Sequence, residues 1–302
     1  MKLPHRAFLV MLCLIAVGCA PTSNPGSQGP LVVATTTILG DMVAAIVGDQ
    51  ATVETLMPPG ADPHDFQPSS QQVALINGAD LVIANGLGLE EGFIDVLDAA
   101  KADGVNLLEV GPLIDPIPFA EGGSEELGED PHFWNDPVRA ATGAAVIADA
   151  LSDVDPSVDW SSRATEYGNE LRDLASEIEV MLQGIPAADR KLVTNHDSLG
   201  YFADRYGFEI LGVVIPGGST LAEPSSAELA NLVQVMREQS VSVIFAETTS
   251  PSVLADAVAD EIGEPVLVVE LYTDSLGPPG SGAETLLDML RLDAELIASA
   301  LS

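Results

Sequence analysis

Three histidines of this sequence lie at corresponding positions, each just beyond the carboxyl end of a predicted strand. His64 follows the second predicted strand, His132 follows the fourth, and His196 follows the first strand of the second half. Ligands bind at this edge of open parallel α/β sheets. Neutral imidazole binds Zn²⁺ and other first-row metals, and three imidazoles leave one position of a tetrahedral centre free. The sequence therefore predicts a metal site.

Two carboxylates are candidates for the fourth ligand. Asp274 follows a predicted strand over residues 265–271, and Glu247 ends another predicted strand. Because the chain has 46 acidic residues, spacing alone does not choose between them. Successive candidates from His64 to Asp274 are separated by 68, 64 and 78 residues, so folded domains must bring them together. Two candidates come from each half of the chain, which places the metal in a cleft between the halves.

The composition and the missing motifs argue against several classes of protein. The chain carries 46 Asp and Glu against 11 Lys and Arg, and its formal charge of −35 repels the phosphate backbone of a nucleic acid. No His-Glu-x-x-His helix, Gly-x-Ser-x-Gly elbow or Gly-x-x-x-x-Gly-Lys loop occurs. A metal-binding protein fills every ligand position, whereas a zinc enzyme keeps one open for water. We predict a binding protein and not an enzyme, with a secreted zinc-dependent hydrolase as the alternative.

The alternation of strand and helix patterns predicts an α/β fold in two halves. Continuous apolar runs separated by helices are typical of parallel strands that are buried on both faces. In the first half, predicted strands cover residues 31–39, 51–57, 81–84 and 105–110, and predicted helices cover 41–47, 69–79 and 89–102. In the second half, predicted strands cover 191–195, 208–215, 241–246 and 265–271, and predicted helices cover 198–206, 225–239, 252–262 and 283–300. We expect two lobes, each a mainly parallel sheet flanked by helices.

A long amphipathic helix is predicted over residues 155–184. Its apolar side chains recur at three- and four-residue spacing from Trp160 to Met181. We expect this helix to bridge an N-terminal metal-binding lobe over residues 31–154 and a C-terminal metal-binding lobe over residues 185–302. A continuous helix would limit the movement of the lobes, whereas a Gly/Ser linker would permit wide hinge motion.

The first residues have the features of an export signal. Lys2 and Arg6 flank the start of the chain, and the apolar run over residues 7–17 is too short to span a bilayer. Small residues then precede Cys19, as in the lipobox of a bacterial lipoprotein. We predict a signal peptide over residues 1–18, lipidation of Cys19 and a lipid-anchored linker over residues 19–30, with an ordinary secretory signal as the alternative. The protein would be extracytoplasmic, on the outer face of the cell membrane or in the periplasm.

Several segments together resemble the substrate-binding proteins of bacterial zinc and manganese ABC importers. The segments that carry the resemblance are Pro63 to Ser69, Ala79 to Leu81, Asn85 to Glu90, Asp130 to Trp134, His196 to Phe202, Glu223 to Ser225 and Asp274 to Gly277. The resemblance runs in order from about residue 31 to the end of the chain. It implies two α/β lobes bridged by a long helix, with one metal between the lobes.

The resemblance also implies a ligand set and a partner. The ligand positions of the family, carried over to this chain, are His64, His132, His196 and Asp274. Separately, Glu247 is a candidate for a residue that orients a ligand. Manganese-type members tend to have glutamate where this chain has His196, and three nitrogens with one carboxylate suit Zn²⁺ better than Mn²⁺. We predict a monomer that captures Zn²⁺ and delivers it to the membrane subunits of an ABC permease. A manganese-specific or mixed receptor is the alternative.

The acidic stretch 121–130 departs from the family pattern, because many zinc members have a histidine-rich loop before the second ligand. We interpret it as a solvated loop, and the alternative is an electrostatic funnel that concentrates cations near the site.

A surface adhesin is a further role proposed for some relatives, and nothing in the sequence favours it.

Overall fold

The computed structural model describes residues 29–119 and 128–302. The predicted signal peptide, Cys19 and nearly all of the predicted linker lie outside the described residues, as does most of the acidic stretch 121–130. Within the two described ranges, no helix is both long enough and apolar enough to cross a membrane.

The first sheet contains four parallel strands in the order β2-β1-β3-β4. They are β1 (Leu31–Ala34), β2 (Thr52–Thr55), β3 (Leu81–Ala84) and β4 (Leu107–Glu109), with helices α1 (Thr37–Val47), α2 (Ser70–Gly78) and α3 (Ile94–Ala102). The central strands β1 and β3 are apolar and mostly buried, as expected for parallel strands between helices.

Two predicted elements of this lobe extend five residues beyond the observed ones. The predicted strand over residues 31–39 ends at Ala34, because the Thr36 side chain accepts a hydrogen bond from the Leu39 N–H and caps α1. The predicted helix over residues 89–102 begins only at Ile94, after a separate 3₁₀ turn at Glu91–Phe93.

Two long helices follow, where the sequence predicted one. Helix α4 (Pro137–Val154) is absent from the prediction, and helix α5 (Trp160–Leu182) is the predicted long bridging helix. Helix α5 begins at Trp160 and not at residue 155, because the Asp159 side chain accepts a hydrogen bond from the Ser162 N–H and caps it. Residues 155–159 form the connection between the two helices.

The second sheet repeats the topology of the first, with four parallel strands in the order β6-β5-β7-β8. They are β5 (Lys191–Thr194), β6 (Glu209–Val213), β7 (Val243–Glu247) and β8 (Leu267–Leu271), with helices α6 (Gly200–Tyr206), α7 (Ser226–Gln239), α8 (Val253–Ile262) and α9 (Leu286–Ala300). The predicted α/β fold of two lobes with parallel sheets is confirmed.

One apolar core extends through both lobes. It includes Val32 and Ile83 from the first sheet and Phe245 and Leu271 from the second, together with side chains of α1, α4, α5 and α9. Helix α5 packs against α1, α4 and α9. Because wide separation of the lobes would expose this core to water, the interface restricts their relative movement.

Candidate metal centre

His64 lies in the loop between β2 and α2. Its backbone N–H donates a hydrogen bond of 2.9 Å to Asp62 Oδ1, and its carbonyl oxygen accepts one of 3.0 Å from the Gly92 N–H. The side chain is buried, but its Nδ1 atom has no hydrogen-bond partner among the described residues. Backbone contacts therefore hold this histidine in place.

His132 lies between β4 and α4, and the buried Asp130 contacts its ring on the Nδ1 side. Asp130 Oδ1 lies 2.8 Å from the His132 ring atom Nδ1 and accepts a second hydrogen bond of 2.8 Å from the His132 backbone N–H. The Tyr201 hydroxyl donates to the Asp130 carbonyl at 2.8 Å, and the Asn85 side chain donates to the Pro131 carbonyl at 3.0 Å. These contacts leave the Nε2 atom of His132 facing the cleft.

His196 follows β5 by two residues, and Glu247 holds it from behind. Glu247 is the last residue of β7, and its Oε1 atom lies 2.6 Å from the His196 ring atom Nδ1. The Ser198 hydroxyl and the Asn195 amide also donate hydrogen bonds to the Glu247 carboxylate, at 3.2 and 3.4 Å. Glu247 thus contacts the Nδ1 atom of His196, whose Nε2 atom faces His132.

Asp274 follows β8, and its neighbours tie it to the first lobe. The Ser275 hydroxyl accepts a hydrogen bond of 2.9 Å from the Gly60 N–H, in the loop that carries His64. Both carboxylate oxygens of Asp274 are buried and have no hydrogen-bond donor among the described residues. A buried carboxylate without donors is unstable unless a cation or a proton compensates its charge.

The structure brings the four predicted ligand residues together. One candidate ligand atom from each of His64, His132, His196 and Asp274 lies within 4.8 Å of the others, and all four side chains are buried. The Nε2 atom of His132 lies 3.4 Å from that of His64 and 3.2 Å from that of His196. The Asp274 carboxylate lies 3.4 Å from His196 Nε2. Three nitrogens and a carboxylate that converge in this way can enclose one metal ion.

Two of the histidines are held in the neutral form that a metal requires. Burial lowers the pKa of His64 and the pKa of His132 well below the usual value, and repulsion between charged imidazoles lowers them further. Burial also raises the pKa of the Asp130 carboxyl behind His132 well above its usual range.

His196 has the opposite balance of charges. Burial opposes a charge on its ring, but attraction by Glu247 and Asp274 outweighs burial and raises the pKa of His196 to about 10. Burial raises the pKa of Asp274 well above its usual range. Without a metal, a proton on His196 provides the positive charge next to Glu247 and Asp274. A divalent cation among the four side chains would replace that proton.

Two positioning residues, Asp62 and Asp130, were not predicted from the sequence. Both occupy the second position before a histidine, in the repeated tripeptide Asp-Pro-His, and both accept the backbone N–H of that histidine. A carboxylate near a histidine is a weak signal in a chain with 46 acidic residues. The exact repetition of the tripeptide was the signal that would have distinguished these two.

Two lobes with parallel sheets and a buried set of candidate metal ligands between them are the features of a metal-binding substrate-binding protein. The sequence model of the family described as "ZnuA: Zinc-uptake complex component A periplasmic" matches residues 32–300. The chain belongs to this family of metal-binding substrate-binding proteins. Its members are transport proteins and not enzymes, so the hydrolase alternative has no support.

Individual relatives are named for three different metals. The chain is 31% identical to the manganese-binding lipoprotein MntA of Halalkalibacterium halodurans over 100% of both chains. It is 29% identical to the iron-binding protein YfeA of Yersinia pestis, over 94% of this chain and 91% of the relative. It is 31% identical to the zinc-binding protein TroA of Treponema pallidum, over 97% of this chain and 98% of the relative. The solved structure of TroA superposes with a TM-score of 0.81 at 29% identity, covering 91% of this chain and 100% of that structure.

Proposed function

We propose that this protein captures Zn²⁺ outside the cytoplasmic membrane and delivers it to the membrane subunits of an ABC permease. One observation carries the proposal: His64, His132, His196 and Asp274 place their ligand atoms within 4.8 Å of one another in a buried cluster. We propose these four residues as the metal ligands, with Asp130 and Glu247 as the residues that orient two of them.

The choice of zinc rests on the ligand set. Three imidazole nitrogens and one carboxylate suit the tetrahedral coordination of Zn²⁺, whereas Mn²⁺ prefers more oxygen ligands. The names of the relatives do not decide the metal, because they include manganese, iron and zinc. A manganese-specific or mixed receptor is therefore an outcome of the test and not a second proposal.

The burial of the cluster fits capture better than turnover. Four protein ligands complete a tetrahedral shell and leave no position for the water that a catalytic zinc site activates. All four side chains are buried, so the bound ion would be shielded from solvent and from competing ligands. Release then requires movement of the segments that carry the ligands.

We further propose that Cys19 carries a lipid that anchors the protein to the membrane. We propose that the protein is a monomer and that both of its lobes contribute metal ligands. Relatives of this chain are named as lipoproteins. Mass spectrometry of the mature N-terminus should then find a lipid on Cys19. A mature chain with an unmodified Cys19 would contradict the anchor.

The test of the metal is competitive titration of a soluble form that lacks residues 1–20, with elemental analysis of the bound ion. We expect one zinc per chain, held more tightly than manganese, and a loss of tight binding in Asp274→Ala. Glu270→Ala is the matched control, because Glu270 is an exposed carboxylate on the strand that precedes Asp274. Equal affinity for manganese would favour a mixed receptor, and absence of any bound metal would refute the proposal.

A further inference from the structure

We propose that Asp62 and Thr220 form a latch across the cleft that ties the position of His64 to the contact between the lobes. In this account the latch, defined as the hydrogen bond between these two side chains, slows the release of the bound metal. The inference rests on the proposed function, since it takes His64 as a ligand.

His64 is the ligand whose position depends most on its backbone. The rings of His132 and His196 each contact a carboxylate through Nδ1, at 2.8 and 2.6 Å. The Nδ1 atom of His64 has no hydrogen-bond partner within residues 29–119 and 128–302. Second contacts of this kind fix ring orientation at metal sites. His64 must therefore be positioned by its loop.

The Asp62 carboxylate joins that loop to the other lobe. Its Oδ1 atom accepts the His64 N–H at 2.9 Å, and its Oδ2 atom accepts the Thr220 hydroxyl at 2.6 Å. Thr220 lies between β6 and α7, in the second lobe. One carboxylate thus connects the backbone of a candidate ligand with the opposite side of the cleft.

The segment that carries Thr220 is closely packed against the first lobe. Gly218 lies so near Phe119 that a Cβ atom on this glycine would be 2.0 Å from the Phe119 ring. The Phe119 ring lies 6.4 Å from the His132 ring, centroid to centroid. The neighbouring Ser219 hydroxyl donates a hydrogen bond of 2.6 Å to Glu91. Residues 218–220 therefore each contact a residue of the first lobe.

Opening of this side must break the latch. Among the described residues, Asp62 is the only one whose side chain bonds both to the His64 N–H and to a side chain across the cleft. Separation of Thr220 from Asp62 breaks the second of these contacts. His64 would then be the ligand that is free to leave first. Because the latch must break before the cleft opens on this side, its loss should accelerate dissociation of the metal and leave association nearly unchanged.

The experiment measures zinc dissociation by stopped flow under excess chelator, and zinc association separately. Thr220→Val keeps the shape of the side chain and removes the hydroxyl, and we expect dissociation about tenfold faster, the effect of one hydrogen bond to a charged group. Ser219→Ala is the matched control, since it removes a hydrogen bond across the same cleft to a carboxylate that does not bond to His64. We expect Ser219→Ala to change dissociation much less.

A double-mutant cycle tests the connection through Asp62. If the latch acts as proposed, Thr220→Val adds no further acceleration in an Asp62→Ala background. Thermal unfolding of each metal-free protein shows whether a variant is folded. Asp62→Asn supplies a second variant, because its amide oxygen still accepts the His64 N–H while its amide group donates to Thr220.

Zinc binding and zinc dissociation test the metal site and the latch separately. Absence of zinc binding in the unmodified protein would refute the proposed function, and the latch with it. Normal zinc binding with an unchanged dissociation rate in Thr220→Val would refute the latch alone. Equal acceleration by Ser219→Ala would also overturn it, because any contact across the cleft would then have the same effect.

Discussion

The Trp134 indole N–H donates a hydrogen bond of 2.6 Å to the carbonyl oxygen of Thr273, across the cleft. Trp134 lies two residues after His132, and Thr273 directly precedes Asp274. The Trp134 ring also lies 5.4 Å from the His132 ring, edge to face. One buried side chain therefore touches a candidate ligand of the first lobe and supports the candidate ligand segment of the second.

This contact makes Trp134 a reporter of metal binding. The chain has two tryptophans, and the other, Trp160, is buried at the start of α5 and bonds to the Asp155 carbonyl. We expect zinc to change the tryptophan emission of the unmodified protein and of Trp160→Phe, but not of Trp134→Phe. Fluorescence titration of the three proteins, with elemental analysis to establish zinc content, checks this prediction. A full signal from Trp134→Phe would show that the ring does not sense the site.

Glu247 should control zinc affinity without contacting zinc. Glu247→Gln keeps the shape of the side chain but removes the charge that faces His196 at 2.6 Å. We expect zinc affinity to fall about 10- to 100-fold, as is typical when the partner of a ligating histidine is changed. Competitive titration measures the loss, and Glu270→Gln, on an exposed site of the adjacent strand β8, serves as the control. Unchanged affinity in Glu247→Gln would mean that this carboxylate does not orient His196.

Removal of the metal should lower the free energy of unfolding, and this effect should require Asp274 as a ligand. A ligand that binds only the folded state adds about 4 kcal/mol to the free energy of unfolding when its free concentration is about 1,000 times the Kd. We expect zinc to raise the Tm of the unmodified protein and a chelator to reverse the rise. Asp274→Asn should show no such rise, because it lacks the carboxylate that faces His196 Nε2 at 3.4 Å.

Differential scanning calorimetry of both proteins, with zinc and with chelator, checks the prediction. Glu270→Gln should retain the full zinc-dependent rise, since Glu270 is exposed. A zinc-dependent rise of the same size in Asp274→Asn would contradict the assignment of Asp274 as a ligand.

The sequence was most informative about the strands and the edge where the site lies. Continuous apolar runs such as Leu81–Ala84 have few alternatives to a buried parallel strand, and that strand was predicted at its observed bounds. The carboxyl-end rule then placed the three histidines at one edge of each sheet, and the structure brings them together. Spacing did not select Asp274 over Glu247, because both follow or end strands of the same sheet, and the family resemblance supplied that choice.

The elements that were missed have weak local signals. The buried face of α4 consists largely of small residues, including Ala140, Ala141, Gly143, Ala144 and Ala148, which allow close packing but give little apolar periodicity. The ends of α1 and α5 depend on capping by Thr36 and Asp159, and threonine or aspartate also fits a strand or a loop. Contacts such as that between Asp62 and Thr220 join residues 158 positions apart and have no local pattern at all.

Asp293 should make the stability of the protein depend on pH. It is buried on α9 and accepts the Tyr272 N–H at 3.0 Å, and burial outweighs this hydrogen bond and raises the pKa of Asp293 to about 7. An unfolded chain has an Asp pKa of about 3.9. Between these values the folded state binds a proton that the unfolded state does not, so the contribution of this group to the free energy of unfolding is complete below pH 4 and falls as the pH rises to 7.

The variant Asp293→Asn keeps an acceptor for the Tyr272 N–H and cannot ionise. We expect the difference in free energy of unfolding between Asp293→Asn and the unmodified protein to shift in favour of the variant by about 4 kcal/mol from pH 4 to pH 7, at 1.36 kcal/mol for each unit of pKa. Urea unfolding of the metal-free proteins at several pH values measures this difference. Glu295→Gln, on an exposed site of the same helix, is the control for removal of a carboxylate from α9. Parallel pH profiles for Asp293→Asn and the unmodified protein would show that the Asp293 carboxyl has the same pKa in the folded and unfolded states, because a group that ionises equally in both states makes no contribution that changes with pH.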